Sequence, residues 1–388
     1  MLGKKLQFLF LILLIAMFSQ AQSPIPAANQ TEKYFYQIRG KQLGIIANQS
    51  SRIKNTHIVD SLLNAGFKIQ KVFAPEHGFR GQAEAGAHIS NGLDSKTGIP
   101  IISLYGSSKK PSKESLEGIE LMIFDIQDVG VRFYTYISTL TYIMEACAEN
   151  NIPLLILDRP NPNANYIDGP VLEKEFQSFV GLLPIPVVHA MTLGELALMI
   201  NGEGWLKNQA QCELSIIPVK DYNHQMPYHL PISPSPNLPN DNSIALYPSL
   251  CFFEGTPISI GRGTDYPFQL IGYPEAKEKS FSFKPQSVEG KSAHPKFENQ
   301  LCYGLDLREF STKYGRPNKL NLQYIIDFYS SYPDKAKFFT NFFNLLAGTD
   351  KLQEQIKTGK TEVEIRKSWE SELNTFKAKR KKYLLYTD

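Results

Sequence analysis

The chain has 388 residues, 42% hydrophobic and 12% aromatic, which is enough apolar material for two cores when single domains run about 100 to 200 residues. Its 41 basic and 38 acidic side chains leave a net charge of +3 spread along the sequence, and the one basic cluster, 377–382, lies in a helical pattern and reads as a solvated face, so a nucleic-acid partner is not expected. Cys147, Cys212, Cys251 and Cys302 are widely spaced without a CxxC, which reads as buried thiols, with pairing left open in an exported chain.

Lys4 and Lys5 precede an apolar run over 6–18 and the small-residue pattern Ser19-Gln20-Ala21. That is the pattern of a secretory signal peptide, occupying 1–21 and cleaved after Ala21. The apolar run, about 13 residues, is short for a helix that must span a bilayer. The expectation is an exported soluble protein, periplasmic or secreted, with no stable membrane anchor.

From residue 42 to 219, short apolar runs alternate with helical patterns, the signature of a mainly parallel sheet covered by helices, doubly wound or close to it. The predicted strands are 43–47, 69–74, 101–104, 121–124, 154–157 and 214–219. The predicted helices are 56–65, opening on Asn55-Thr56 and closing on Gly66, then 136–150 and 192–201. Five prolines between Pro227 and Pro239 interrupt any ladder or helix and mark a boundary, giving an N-terminal domain over 34–239 and a C-terminal one over 240–388. The second is aromatic-rich and ends in helical patterns near 320–329, 351–357 and 361–382.

In open parallel sheets, ligands bind outside the carboxyl ends of the strands. Five strand ends here deliver polar side chains: Asn48-Gln49, Pro75-Glu76-His77-Gly78, Tyr105-Gly106, Asp125-Ile126-Gln127-Asp128 and Asp158-Arg159-Pro160-Asn161. Glu76 and His77 sit at a glycine-assisted bend that aims both into the crevice, as the first candidates for catalysis. A carboxyl held against apolar or anionic neighbours keeps a proton for a glycosidic oxygen, and Asp125 or Asp128 supplies such a neighbour. A buried ion pair of Glu76 with Arg80 or Arg132 is the alternative. Arg132, Tyr134 and Tyr136, in the same run as the two aspartates, combine hydrogen-bonding groups with aromatic surface, which suits a sugar; the tyrosines would equally serve as core.

Asn48, Asp158, Arg159 and Asn161 are further candidate contacts, the last two on a loop stiffened by Pro160 and Pro162, and Ser235 and Asn237 lie on a second stiff loop. Arg262, between Gly261 and Gly263 and followed by Thr264, has its backbone free to approach a ligand and its fork free to meet a carboxylate, with Glu254 eight residues earlier. That implies an anionic substrate, unless the arginine serves loop carbonyls. His189 precedes a capping pattern, Thr192 with Glu195, and is as readily structural as a ligand contact. His57, His224, His229 and His294 read as surface or satisfied core residues. His77, His189, Asp125, Asp128 and Asp158 show no HxH or HExxH spacing, so no metal is expected, and with no P-loop or GxGxxG no nucleotide cofactor is supported. The basic stretch 107–113 reads as a solvated loop.

Pro75-Glu76-His77-Gly78-Phe79-Arg80-Gly81, the run from Asp125 through Asp128 and Arg132 to Tyr136, Leu157-Asp158-Arg159-Pro160-Asn161-Pro162, Asp168-Gly169-Pro170, Ser235-Pro236-Asn237 and Gly261-Arg262-Gly263-Thr264 occur in this order over 44–386. Together they resemble the NamZ-type exo-β-N-acetylmuramidases. The resemblance implies an α/β fold with a Rossmann-like N-terminal domain, a smaller α/β C-terminal domain and the active-site cleft between them. It further implies hydrolysis of the β-1,4 bond joining a non-reducing terminal N-acetylmuramic acid to N-acetylglucosamine in peptidoglycan-derived saccharides. On this reading Glu76 matches the glutamate of the family's PEHG motif as general acid, Asp125 or Asp128 is the second group, and Arg132, Arg159 or Arg262 clamps the lactyl carboxylate. Two positions depart from the family pattern: Ala190 stands where many relatives have Gly, and Ile260 where some have Glu. The competing readings are a muropeptide-binding protein without turnover and a metal-dependent hydrolase or deacetylase of the same sugars.

Overall fold

The computed structural model describes residues 23–76, 78–80, 91–106 and 108–388. The expected signal peptide, His77, Gly81 and Ser107 lie outside these residues.

The sheet contains β1 (Gln42–Ala47), β2 (Lys68–Ala74), β3 (Gly92–Leu93), β4 (Pro100–Ser103), β5 (Leu121–Asp125) and β6 (Leu154–Leu157). β7 (Asp168–Val171) and β8 (Pro186–Val188) form a separate antiparallel pair, and β9 (Leu214–Ile217) completes the main sheet. Its spatial order is β9-β6-β5-β1-β2-β4-β3, parallel except for the short edge strand β3. All six strands expected from sequence are present. β5 and β6 are buried along their whole length, as unbroken apolar runs must be when both faces are covered.

Alternation sorts β1 between two cores: Leu43, Ile45 and Ala47 face one, Ile46 the other. The first core takes in Ala27, Tyr34 and Ile38, so residues ahead of 34 already pack under the sheet, and Ala27 N donates to Asp158 O. The second core runs without a break from Phe124 and Ile156 to Phe252, Phe253 and Phe343. The two halves of the chain therefore share apolar contacts.

Helices α1 (Ile58–Asn64), α2 (Tyr136–Asn150) and α3 (Leu193–Gly202) fall where expected. The start of α1 differs. Thr56 and His57 pair with Arg52 and Ile53 in a small hairpin, and His57 is the cap: its Nδ1 accepts from Val59 N while Nε2 bonds Asn48 O at 2.9 Å. Burial lowers this imidazole to about 4, which suits a neutral ring making both bonds. The Thr192–Glu195 capping box of α3 forms as the sequence indicates.

The C-terminal half contains α4 (Asp241–Leu250), a three-stranded antiparallel sheet of β10 (Leu270–Tyr273), β11 (Ser282–Phe283) and β12 (Cys302–Asp306), then α5 (Gln323–Ser331), α6 (Asn341–Ala347), α7 (Lys351–Lys357) and α8 (Glu362–Arg380). After α8 the chain returns to the first half. Tyr386 OH donates to Asp158 Oδ2 at 2.6 Å, Leu385 N donates to Glu195 Oε1, and Arg380 holds Asp388.

Arg380 also grips the carbonyl of Ala190 through Nε and Nη2, and Ala190 sits at φ 54°. A side chain in the left-handed region costs about 1 kcal/mol, while glycine gives back part of that through the unfolded chain. Ala190→Gly is therefore expected to stabilise the protein by about 0.5 kcal/mol, seen in denaturant titration as a raised midpoint at unchanged slope. A lowered midpoint would show that the Ala190 methyl contributes packing that outweighs the strain.

Candidate active-site cleft

The sheet's winding direction reverses between β1 and β5, so their carboxyl ends mark the switch point where crevices open in this architecture. Glu76, two residues past β2, and Tyr134 and Thr135, ahead of α2, line a cleft of about 350 Å³ there, with Tyr105, Phe133, Phe179 and Val180. The opposite wall comes from Ser235, Asn237 and Leu238 of the proline-rich segment, Tyr247 of α4 and Cys251 just after it, Glu254, Arg262, Phe268, and Phe342 and Leu346 of α6. Among the described lining residues the charged ones are Glu76, Glu254 and Arg262. A larger groove of about 690 Å³, lined by residues such as Phe310, Lys313 and Tyr314, lies wholly within the C-terminal half and includes no strand-end residue of the main sheet.

Glu76 Oε2 accepts from Thr135 Oγ1 at 2.8 Å. Beneath it Asn48 Nδ2 donates to Tyr136 OH at 2.8 Å, and Asn48 Oδ1 accepts from the backbone and hydroxyl of Ser50. Tyr134 OH donates to Pro234 O at 2.9 Å, and Gln49 Nε2 reaches Ser233 O and Pro234 O, so the proline-rich segment is tied to the strand ends. Asn237 donates to Lys291 O, and its backbone N–H donates to Ser235 Oγ. Across the cleft Arg262 Nε and Nη2 both donate to Glu254 Oε1, at 2.9 and 2.6 Å, and the guanidinium carbon lies 5.1 Å from the centre of the Phe268 ring.

Several residues expected at the site are directed elsewhere. Asp125 is fully buried, and both its oxygens take Arg159, at 2.6 and 3.0 Å. The pair is complete in itself, so Asp125 is not placed for catalysis and Arg159 not placed to clamp a substrate. Arg132 is buried with its Nη atoms on four backbone carbonyls, those of Pro170, Ile185, Leu346 and Ala347. The cause is local: Val131 bridges to Val188 and Arg132 N donates to Val187 O, which draws the loop after β5 down onto β8.

The same turn buries Asp128, whose Oδ2 accepts from Gly130 N at 2.6 Å and which borders a space about the size of one water molecule, with Asp158, Asn161 and Thr192. Gly130, at φ 77°, leaves no room for a Cβ, since one would lie 2.0 Å from Asn161 Oδ1. Asn161 itself is occupied by Met191 O and Asn163 N, and Asp158 accepts from Thr192, Gly194 and Tyr386. His189 is fully buried, accepts from Met191 N and is lowered by burial to about 3, so it is a neutral structural residue. Thr264 Oγ1 closes its own turn on Gly261 O. Among the described residues no three His, Cys, Asp or Glu side chains converge to hold a metal.

The cleft also contains residues that the sequence did not single out. Phe179, Tyr247, Phe268 and Phe342 come from loops and helix faces whose apolar side chains look the same in sequence whether they line a cleft or a core.

Residues 43–242 match the N-terminal model, and residues 245–386 the C-terminal model, of the exo-β-N-acetylmuramidase NamZ. The chain belongs to this family. It is 41% identical to the peptidoglycan β-N-acetylmuramidase NamZ of Bacillus subtilis (strain 168), over 91% of this chain and 89% of that one. Two crystal structures of DUF1343 family proteins from Bacteroides fragilis are similar to it. One has a TM-score of 0.86 at 46% identity, covering 95% of this chain and 100% of the other; the second has 0.80 at 29%, covering 94% and 99%. In this member of the NamZ family the strand-end aspartates form the foundation of the cleft, and its lining holds Glu76, Glu254 and Arg262.

Asp128 offers a direct check on that division. Burial pushes its carboxyl up to about 7, against Gly130 N–H and Val129 N–H, which act to lower it. The folded protein thus holds this proton more tightly than the unfolded chain. The destabilisation is absent below the ordinary carboxylate range, grows as pH rises toward 7, and is complete above it. Asp128→Asn, which keeps the acceptor for Gly130, is expected to stabilise the protein by on the order of 2 kcal/mol at pH 8 and hardly at all at pH 4. Denaturation midpoints at the two pH values measure this, and equal gains at both would contradict it.

Proposed function

We propose that this chain is an exo-acting glycoside hydrolase that releases N-acetylmuramic acid from the non-reducing ends of peptidoglycan fragments by cleaving its β-1,4 bond to N-acetylglucosamine, as part of cell-wall turnover and recycling. The observation that carries the reading is the charge pattern of the cleft. Two carboxyl groups and one guanidinium face a space otherwise lined by polar, aromatic and aliphatic side chains, in a chain alike over most of its length to a peptidoglycan β-N-acetylmuramidase.

Glycoside hydrolysis needs a proton donor at the leaving oxygen and a group that stabilises or attacks the developing oxocarbenium ion. Glu76 is the proposed general acid, oriented by the Thr135 hydroxyl. Glu254 is the second carboxylate at hand, in place of Asp125 and Asp128, which are buried beneath the cleft. Arg262 is the proposed clamp for the lactyl carboxylate: both its bonds fall on one oxygen of Glu254, so a bound carboxylate can share the fork. Tyr134, Phe268 and Phe342 supply aromatic surface for the sugar face. His77 remains a candidate beside Glu76 from its sequence position. We also propose that the chain is exported to the periplasm or beyond, on the strength of Lys4, Lys5 and the apolar run that follows. No helix among the described residues is long and apolar enough to cross a membrane.

The test is incubation with the disaccharide N-acetylmuramic acid β-1,4 N-acetylglucosamine, with free sugars followed by mass spectrometry. Wild-type protein is expected to release both monosaccharides at a rate unaffected by chelator. Glu76→Gln is expected to lose at least about 100-fold in kcat, as removal of a general acid does, with stability within about 0.5 kcal/mol of wild type because the side chain is partly exposed. A folded wild type that binds the disaccharide without cleaving it would make the protein a muropeptide receptor, and loss of activity with chelator would make it a metal-dependent hydrolase.

A further inference from the structure

Lys296 is exposed as a residue, yet its ammonium turns onto a cluster of backbone carbonyls. Its Nζ donates to the backbone oxygens of Phe253 at 3.0 Å, Glu254 at 3.3 Å, Ile258 at 3.4 Å, and Thr256. These four belong to the turn that carries Glu254 and leads into Arg262. The surrounding segment is fastened to the same wall at two more points: Gln286 N donates to Gly263 O at 2.8 Å, and Lys291 O accepts from Asn237. The fit is close, since a Cβ on Gly263 would lie 2.5 Å from Gln286 O and 2.6 Å from Pro295 Cγ. An ammonium has three donors and no acceptor, so it draws carbonyls that would otherwise repel one another around one point.

We infer that Lys296 is a positioning residue of the cleft, whose ammonium fixes the turn over 253–258 so that the Glu254–Arg262 pair is set to receive the carboxylate of an acidic sugar. The inference rests on the proposed function and adds the origin of the preference for a muramic over a neutral acetamido sugar. The charged groups facing Lys296 are Glu254 and Arg262. Desolvation of the ammonium within this carbonyl cluster lowers it to about 8, with Glu254 acting to raise it and Arg262 to lower it. Loss of the proton turns charge-assisted bonds into weaker neutral ones and removes a donor, and the turn loosens.

The experiment is calorimetric binding of N-acetylmuramic acid and of N-acetylglucosamine to wild type, Lys296→Met and Lys296→Arg between pH 6.5 and 9.5. Wild type is expected to bind the muramic acid about tenfold more weakly at pH 9.5 than at 7, the size of one charge-assisted hydrogen bond, with the neutral sugar unchanged. Lys296→Met is expected to be weak for the muramic acid at both pH values, and Lys296→Arg, which keeps its charge, to lose the pH dependence. Wild-type affinity for the muramic acid that does not change with pH overturns the inference without any variant. A wild-type preference for the muramic acid that Lys296→Met shares at pH 7 overturns it alone, leaving the function standing. Wild type that binds neither sugar overturns both.

Discussion

The guanidinium of Arg132 is a buried point at which the two halves of the molecule meet. Its Nη1 takes carbonyls from Pro170 in β7 and Ile185 just before β8, and its Nη2 takes those of Leu346 and Ala347 at the end of α6. A helix ends with carbonyls that have no partner within it and that carry partial negative charge, and a buried guanidinium without acceptors would cost several kcal/mol. Each satisfies the other here. The consequence reaches the cleft, because Phe342 and Leu346 are four residues apart on α6 and share the face that lines it. Where α6 stands relative to the sheet sets the distance between the cleft walls, and Arg132 helps to hold α6 there, together with the close packing of Phe343 on Gly255.

Most of the fold was legible in the sequence because burial leaves a simple record. Six apolar runs gave the six parallel strands, α2 and α7 fall on their expected limits, and Thr192 with Glu195 announced the cap of α3. The start of α1 was not legible, because Asn55-Thr56 and His57 are all competent near a helix end, and only the pairing of Thr56 and His57 with Arg52 and Ile53 decides among them. At the cleft, position in sequence identified the strand ends correctly but not which way each side chain turns. Glu76 and Asp125 both follow β-runs and both precede polar residues. One faces the cleft while the other is enclosed with Arg159, and the difference lies in contacts made by residues more than thirty positions away. Arg262 was legible as a fork for a carboxylate, but its pairing with Glu254 was not, and the aromatic lining carried no signal of its own.

Beneath the cleft, charge is managed by enclosure. Asp125 with Arg159, Asp158 with four donors and Arg132 with four carbonyls are buried groups whose partners are fixed. Fixed partners leave little to reorganise, and that stiffness lets Glu76 and Arg262 project from defined backbone positions into the cleft. Lys296 repeats on the second wall what Arg132 does between the walls, with a cation gathering carbonyls from a turn that has no regular ladder to hold it.

The return of the chain after α8 bears on the order in which the protein can fold. Asp158 stands at the carboxyl end of β6 in the middle of the main sheet, yet one of its donors is Tyr386, 228 positions later, and Glu195 of the α3 capping box waits likewise for the backbone of Leu385 and Tyr386. Contacts this distant in sequence form late and slow the final step, because the loop they close must first lose its freedom. An N-terminal half emerging first from a ribosome would hold its sheet with these buried carboxylates incompletely satisfied. A chain whose native state completes only with residues 385–386 in place keeps two buried carboxylates short of donors until its last residues have been made.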